Sequence, residues 1–295
     1  MQNLDELWAF VLRRPIEPEE RATTELRLAA GMSYASLLQE LATSAEFEHI
    51  RRLEDAVAWA GAQRRAGERP RNLRAAGGVD ERPIEIPWCL ARVRDGEGVL
   101  DVGYAFAEPV YLAALGELGG VTGVDLVARD VPGITPVQGD LRELPFRDNQ
   151  FDTAIAISTL EHVGRDNTQY GLDAEEADTL DSALRELNRV SRRVLVTVPT
   201  GEPEQRPEQS VHAPHEWVDR FERAGFVVFE DELYELGDNG WRSVSELTPG
   251  VRYGERGPGA SAVLCAELRP RTFGERLRLA VRDRRHGDEV RRATG

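Results

Sequence analysis

Between Gly98 and Gly164 the chain alternates short apolar runs with polar breaks, and acids recur at or near the ends of the runs. Val99-Leu100-Asp101-Val102-Gly103 is the first run, Val121-Thr122-Gly123-Val124-Asp125-Leu126 the second, and Ile134-Thr135-Pro136-Val137-Gln138-Gly139-Asp140 the third. The fourth, Phe151 to Ile157, continues into Ser158-Thr159-Leu160-Glu161-His162. Their length and content of Val, Ile and Thr predict strands. Farther on, Asp181 to Ser191 predicts a helix with Leu184, Leu187 and Val190 facing inward, and Arg193 to Pro199 a fifth strand. Pro214 to Ala224 predicts another helix, Phe226 to Glu235 a sixth strand and Ser261 to Leu268 a seventh. Strands alternating with helices imply an α/β fold, a parallel sheet with helices on both faces. Ligands of such sheets sit beyond the carboxyl ends of the strands, where the chain reverses order.

The flanks have other patterns. Leu4, Leu7, Phe10 and Val11 fall at helical spacing, the pattern breaks at Arg14-Pro15, and a further helix runs through Glu20 to Ala30 until Gly31 ends it. Ser33 to Thr43 and Ser44 to Val57 predict two more helices, each opened by a serine that can cap exposed N–H groups. Residues 1–60 are thus expected to form a helical module with Trp8, Leu37, Leu38, Leu41, Phe47 and Ile50 in its core. Residues 61–87 are rich in Arg, Gly and Pro without apolar period and are expected to be a surface linker. Residues 88–269 would hold the α/β domain, and 270–295 a tail. In the tail Phe273, Leu277 and Val281 recur at i, i+4, i+8 among eight arginines, the pattern of a basic amphipathic helix. Such a helix either lies on an anionic membrane surface or packs on its own acidic protein.

Every cation other than histidine is arginine, and the absence of lysine excludes Schiff-base catalysis and the lysine of phosphate-binding loops. A net charge of −15 argues against nucleic-acid partners, which require clustered cations. Cys89 and Cys265 lie in apolar runs far apart in sequence and are expected to be buried free thiols. No window is apolar enough to span a membrane, and an N-terminus carrying Asp5 and Glu6 lacks a signal-peptide layout. A cytoplasmic location is the expectation.

Taken in order, Asp101-Val102-Gly103, Val124-Asp125-Leu126, Gly139-Asp140-Leu141 and Ser158 to His162 resemble the S-adenosylmethionine-dependent methyltransferases of class I, over residues 85 to 268. The resemblance implies a seven-stranded, mostly parallel, doubly wound Rossmann-like sheet with an added hairpin, and S-adenosylmethionine as cofactor. It implies that Asp125, 22 residues after Gly103, binds the ribose, and that Asp140 with Leu141 lies beside the adenine. Asp101 would orient the glycine loop, and Gly103, Ala105, Leu126 and Ser158 would complete the cofactor contacts. The family pattern Asp-x-Gly-x-Gly-x-Gly is broken here, because Ala105 and Ala107 replace two glycines and Glu108 follows. Alanine passes only where φ is negative. The missing Gly-x-Gly-x-x-Gly also counts against a nicotinamide dehydrogenase.

Methyl transfer is a displacement at carbon, so the protein aligns donor and acceptor and removes a proton when the acceptor is a hydroxyl. His162, whose pKa is naturally near the working pH, is the candidate base, with Glu161 beside it; a structural cap is the alternative role. His212 and His215, after the fifth strand, are candidate acceptor contacts. They are not expected to hold a metal, which needs convergent third and fourth ligands. Tyr234 and Trp241 are expected in the core, with sugar stacking as the alternative. Ser158 to Gly164, Thr197 to Gly201 and Asp238-Asn239-Gly240-Trp241 are similar to a bacterial branch found with cell-surface polysaccharide genes. Thr43-Ser44-Ala45-Glu46-Phe47 resembles the close of a small helical domain joined to glycan-related bacterial enzymes. Both resemblances imply a sugar hydroxyl, glycan precursor or small polar metabolite as acceptor. The alternatives are a catalytically silent methyltransferase-like binding module and a different nucleotide-cofactor enzyme on the same fold.

Overall fold

The computed structural model describes residues 3–78, 80–166, 168 and 179–272. Four helices come first: α1 (Leu4–Val11), α2 (Pro18–Ala29), α3 (Tyr34–Ala42) and α4 (Ala45–Arg65). A short strand β1 (Arg74–Ala75) and α5 (Arg82–Leu90) lead into β2 (Val99–Val102), α6 (Pro109–Leu118), β3 (Val121–Asp125), β4 (Ile134–Gln138) and β5 (Thr153–Ile157). Then follow α7 (Leu180–Val190), β6 (Val194–Pro199), the ribbon β7 (Glu204–Gln205) and β8 (Ser210–Val211), α8 (Pro214–Arg223), β9 (Phe226–Gly237), β10 (Gly240–Val244) and β11 (Ala262–Pro270).

The main sheet has nine strands in the order β1-β10-β9-β11-β6-β5-β2-β3-β4. It contains all seven expected strands, extended at one edge by the short β1 and β10. β2 pairs in parallel with both β3 and β5, β3 with β4, and β5 with β6, while β11 runs antiparallel between β6 and β9. After β4 the chain crosses back to the other side of β2, so the order reverses between β2 and β5, where such folds hold their ligands. Every residue of β2 and of β6 is buried, as expected of central strands covered on both faces. One face is closed by α5 and α6 through Trp88, Ile84 and Leu115. The other is closed by α7 and α8 through Leu184, Leu187, Trp217 and Phe221. Tyr234 and Trp241 belong to the first of these cores, and Cys89 and Cys265 are buried there as free thiols.

In the first helices, Asn3, Ser33 and Ser44 each accept a hydrogen bond from a first-turn N–H of α1, α3 and α4. The core of these helices joins Leu4, Leu7, Trp8, Val11, Leu37 and Ile50, and Val110 of α6 packs against it. Leu38 departs from the expectation, because one step beyond Leu37 on α3 turns it outward to 42% exposure.

The stretch expected to be a surface linker is structured instead. Residues 61–65 complete α4, Arg74 and Ala75 pair with β10, and every residue of α5 from Pro83 to Leu90 is buried. Buried acids draw this arginine-rich stretch inward. Glu232 on β9 accepts hydrogen bonds from the Asn72 N–H (2.9 Å), Trp88 Nε1 (2.8 Å) and the Tyr234 hydroxyl (2.8 Å). Arg92, 3.8 Å over the Trp88 ring, donates to Glu230 at 2.9 Å, and Arg69 reaches both Glu230 and Glu267. The helix expected in the tail lies outside the described residues. No helix among the described residues is long and apolar enough to cross a membrane.

Because Glu232 satisfies two buried donors, Trp88 Nε1 and the Tyr234 hydroxyl, Glu232→Ala strands both and is expected to lower stability by about 2–4 kcal/mol, read as a lower urea midpoint.

Candidate functional site

A cavity of about 240 Å³ opens at the carboxyl ends of β2, β3, β4 and β5. Its geometry starts at Gly103, where the chain leaves β2 with φ 81°. A side chain there is excluded twice, by the left-handed backbone and because a Cβ would lie 2.6 Å from Thr159 Oγ1. The Thr159 hydroxyl is itself fixed, donating to the carbonyls of Val102 (3.1 Å) and Ile157 (3.0 Å). After Gly103 the chain makes one 3-10 turn, Tyr104 to Phe106. Ala107 has φ −70°, and Ala105 is not among the residues of positive φ. The two alanines therefore stand where an L side chain is admitted, and the replaced glycines leave the loop unstrained. Tyr104 lies over Gly123 of β3, where a Cβ would be 2.7 Å from its ring, and its hydroxyl donates to the Arg129 carbonyl at 2.7 Å.

The three strand-end acids converge on this cavity. Asp101 is buried and accepts a hydrogen bond from the Tyr111 hydroxyl of α6. Burial, with repulsion from Asp125, pushes its carboxyl up to about 7 although the Tyr111 bond opposes the shift. Asp125 accepts the Ala105 N–H at 3.0 Å; burial raises it too, against its hydrogen bonds to backbone N–H groups. Asp140 takes the Arg142 guanidinium on both oxygens, 2.9 Å from Nε, and that pair holds it below the usual carboxylate range. Leu126 and Phe106 line the same cavity with 36% and 54% of their surface exposed, an apolar mouth that a flat ring system can cover.

The structure brings together Asp101, Gly103, Asp125, Leu126, Asp140, Leu141, Ser158 and His162 on the cavity wall. Ala105 is not on that wall. It is buried behind it and acts through its N–H on Asp125. Ser158 has a left-handed backbone, φ 42°, a conformation non-glycine residues adopt mainly where their surroundings enforce it. Its hydroxyl donates to Glu85 at 2.8 Å.

His162 and Glu161 part company. His162 lines the cavity, and its Nδ1 lies 2.6 Å from the Glu208 carbonyl. A carbonyl only accepts, so Nδ1 carries the proton and Nε2 the lone pair. Burial lowers the His162 pKa, which favours the neutral ring near neutral pH. Glu161 is 2% exposed and absent from the cavity wall. Burial, helped by Glu85, pushes it up to about 8, and its Oε2 has no hydrogen-bond partner among the described residues. A carboxyl so placed is protonated at neutral pH and out of reach of a ligand in the cavity. His212 and His215 do not line the cavity either. His212 packs edge-on against Trp217 at 4.9 Å, and His215 is exposed on α8.

Sequence reasoning missed Arg82, Ile86, Tyr111 and Arg142, all on the cavity wall. Arg82 and Ile86 fall inside the stretch read as linker. Arg82 donates to Glu85 at 2.6 Å, and Glu85 in turn holds Ser158. No short motif signals Tyr111, although its place on the first helix after the glycine turn would have put it beside Asp101.

Gly103→Ala is expected to lower stability by about 1–3 kcal/mol and to weaken ligand binding in the cavity, checked by urea melts and calorimetric titration. Glu161 gives a pH prediction. Its raised pKa favours folding at low pH, and the benefit is lost as pH rises from the ordinary carboxylate value through about 8. Glu161→Gln, which mimics the protonated acid, should gain about 1–3 kcal/mol on the native protein between pH 6 and pH 9, seen in paired denaturation curves.

Residues 100–193 match the family model described as a methyltransferase domain. No curated protein matches the sequence. Among solved structures, the chain is similar to a chain from a complex of the Haloferax volcanii Trm112 methyltransferase activator, at 16% identity and a TM-score of 0.43, covering 74% of this chain and 98% of that one. It is similar to a Burkholderia thailandensis 1,6-didemethyltoxoflavin-N1-methyltransferase with bound S-adenosylhomocysteine, at 15% identity and a TM-score of 0.42, covering 88% and 93%. A third similarity is to the [4+2]-cyclase SpnF, at 15% identity and a TM-score of 0.41, covering 75% and 93%. The part of this chain that runs from β2 to α7 thus carries a methyltransferase domain.

Proposed function

We propose that the chain methylates a hydroxyl of a sugar, a glycan precursor or a comparably small polar metabolite, with His162 as the base. The observation that supports this most is the pairing, in one cavity, of a cofactor cradle with a neutral histidine of fixed tautomer.

The residues present fit the cofactor. Gly103 admits close approach at the end of β2, Asp125 offers a carboxylate at the end of β3, and Asp140 with Leu141 closes the end beyond β4. Asp125 would hold the ribose hydroxyls, Asp140 and Leu141 would flank the adenine, and Asp101 would face the amino-acid end. When bound, the cofactor supplies an electrophilic methyl group on a sulfonium.

The acceptor would enter beside His162, Val163 and Gly164, with Arg82, Ser158 and Thr159 offering polar contacts. His162 Nε2 would take the hydroxyl proton as the oxygen attacks, and the Glu208 carbonyl would steady the imidazolium by accepting from Nδ1. Alignment of donor and acceptor would supply most of the acceleration, about 7–11 kcal/mol in favourable cases. Glu161 has no catalytic part in this scheme, and His212 and His215 would contact only an acceptor long enough to leave the cavity.

The test is turnover of S-adenosylmethionine to S-adenosylhomocysteine across a panel of sugars and small hydroxylated metabolites, with two variants. His162→Gln should cut kcat by about 10²–10⁴-fold and leave S-adenosylhomocysteine affinity within a few-fold of native. Asp125→Ala should abolish cofactor binding. Binding without turnover on any acceptor would sink the hydroxyl-transfer reading in favour of a silent binding module.

A further inference from the structure

His49 of α4, Asp80 before α5 and Glu108 at the start of α6 come from three separate parts of the chain and meet at one point. A ligand atom from each lies within 4.8 Å of the others, and His49 Nε2 is 4.0 Å from Asp80 Oδ1. Two donors held by one ion at 2.0–2.4 Å can be no more than about 4–4.8 Å apart, so the three already stand within the span of a single coordination sphere. All three are half-buried, not waving in solvent. The Asp80 and Glu108 carboxylates repel one another, and burial together with Asp80 raises the Glu108 carboxyl against the opposing effect of His49 and Arg82. The Arg82 guanidinium, held against Glu85 at 2.6 Å, offsets this repulsion only in part, and the Arg82 N–H donates to Asp80 Oδ1 at 3.1 Å. The Glu108 carboxylate has no hydrogen-bond partner among the described residues, an arrangement suited to an incoming cation.

We propose that His49, Asp80 and Glu108 form a binding site for a divalent first-row transition metal, which pins the helical module to the mouth of the cavity. One imidazole and two carboxylates suit Zn²⁺ or Mn²⁺, and three protein ligands leave positions for water. Glu108 is shared, lying on the cavity wall as well as in the triad. A bound cation would join α4 to α6 through a bond stronger than the apolar contact at Val110.

The test uses the full chain without an affinity tag, treated with chelator and titrated calorimetrically with ZnCl₂ and, separately, with MnCl₂. The expected result is one equivalent of at least one ion per chain and a rise in Tm on its addition. Glu108→Gln and His49→Gln should each weaken binding at least tenfold and lose the Tm rise. Asp80→Asn is measured alongside, and each variant is first shown to melt cooperatively without metal. No stoichiometric binding of either ion to the folded native chain would overturn the proposal, as would native affinity in all folded variants.

Discussion

At Gly103 the chain turns left-handed against the Thr159 hydroxyl, and the geometry of the site is fixed from there. The turn can close only because no Cβ intervenes, and once closed it carries the N–H of Ala105 onto Asp125 and brings Tyr104 down over Gly123. Thr159, on the other side, is locked by carbonyls of both β2 and β5. The switch point of the sheet is thereby stitched across, so that Asp101, Asp125 and His162 keep their spacing without help from a ligand. The same tightness explains why alanine is admitted at 105 and 107 and would not be at 103. Ala105 and Ala107 stand in ordinary backbone, whereas Gly103 has neither the torsion nor the room for a methyl group.

Much of this was legible in the sequence, for physical reasons. A strand buried on both faces is written as a short unbroken apolar run, and an acid at its carboxyl end stands out against it. Asp101, Asp125 and Asp140 are therefore legible as strand-end acids in the sequence itself. The helices of the N-terminal module were equally readable, because each is amphipathic and two are opened by a capping serine. Helix α5 was not. Its sequence, Arg82 to Leu90, carries two prolines and follows an Arg- and Gly-rich stretch, and its helicity comes from burial on all sides, which leaves no polar face to give a period.

Side-chain partnerships over long separations were illegible altogether. Ser158 and Glu85 are 73 residues apart and Trp88 and Glu232 are 144 apart, and nothing local marks either pair. Glu161 and His162 show the limit most plainly. They are neighbours in sequence at the right strand end, yet a 3-10 turn sends one side chain into the core and the other to the cavity. Chemistry was assignable to the pair from residue type, but only the backbone could divide it between them.

Cys89 and Cys265 sit in the same core, one on the helix that sequence alone did not disclose and one on the antiparallel strand that completes the sheet. Burial pushes both thiols well above their usual pKa, so neither reacts from the closed state. A thiol reagent would meet them only when this core opens, and its rate would follow that opening and not surface exposure. The molecule thus carries a built-in clock for the breathing of its own core, located behind the wall on which the cavity is built.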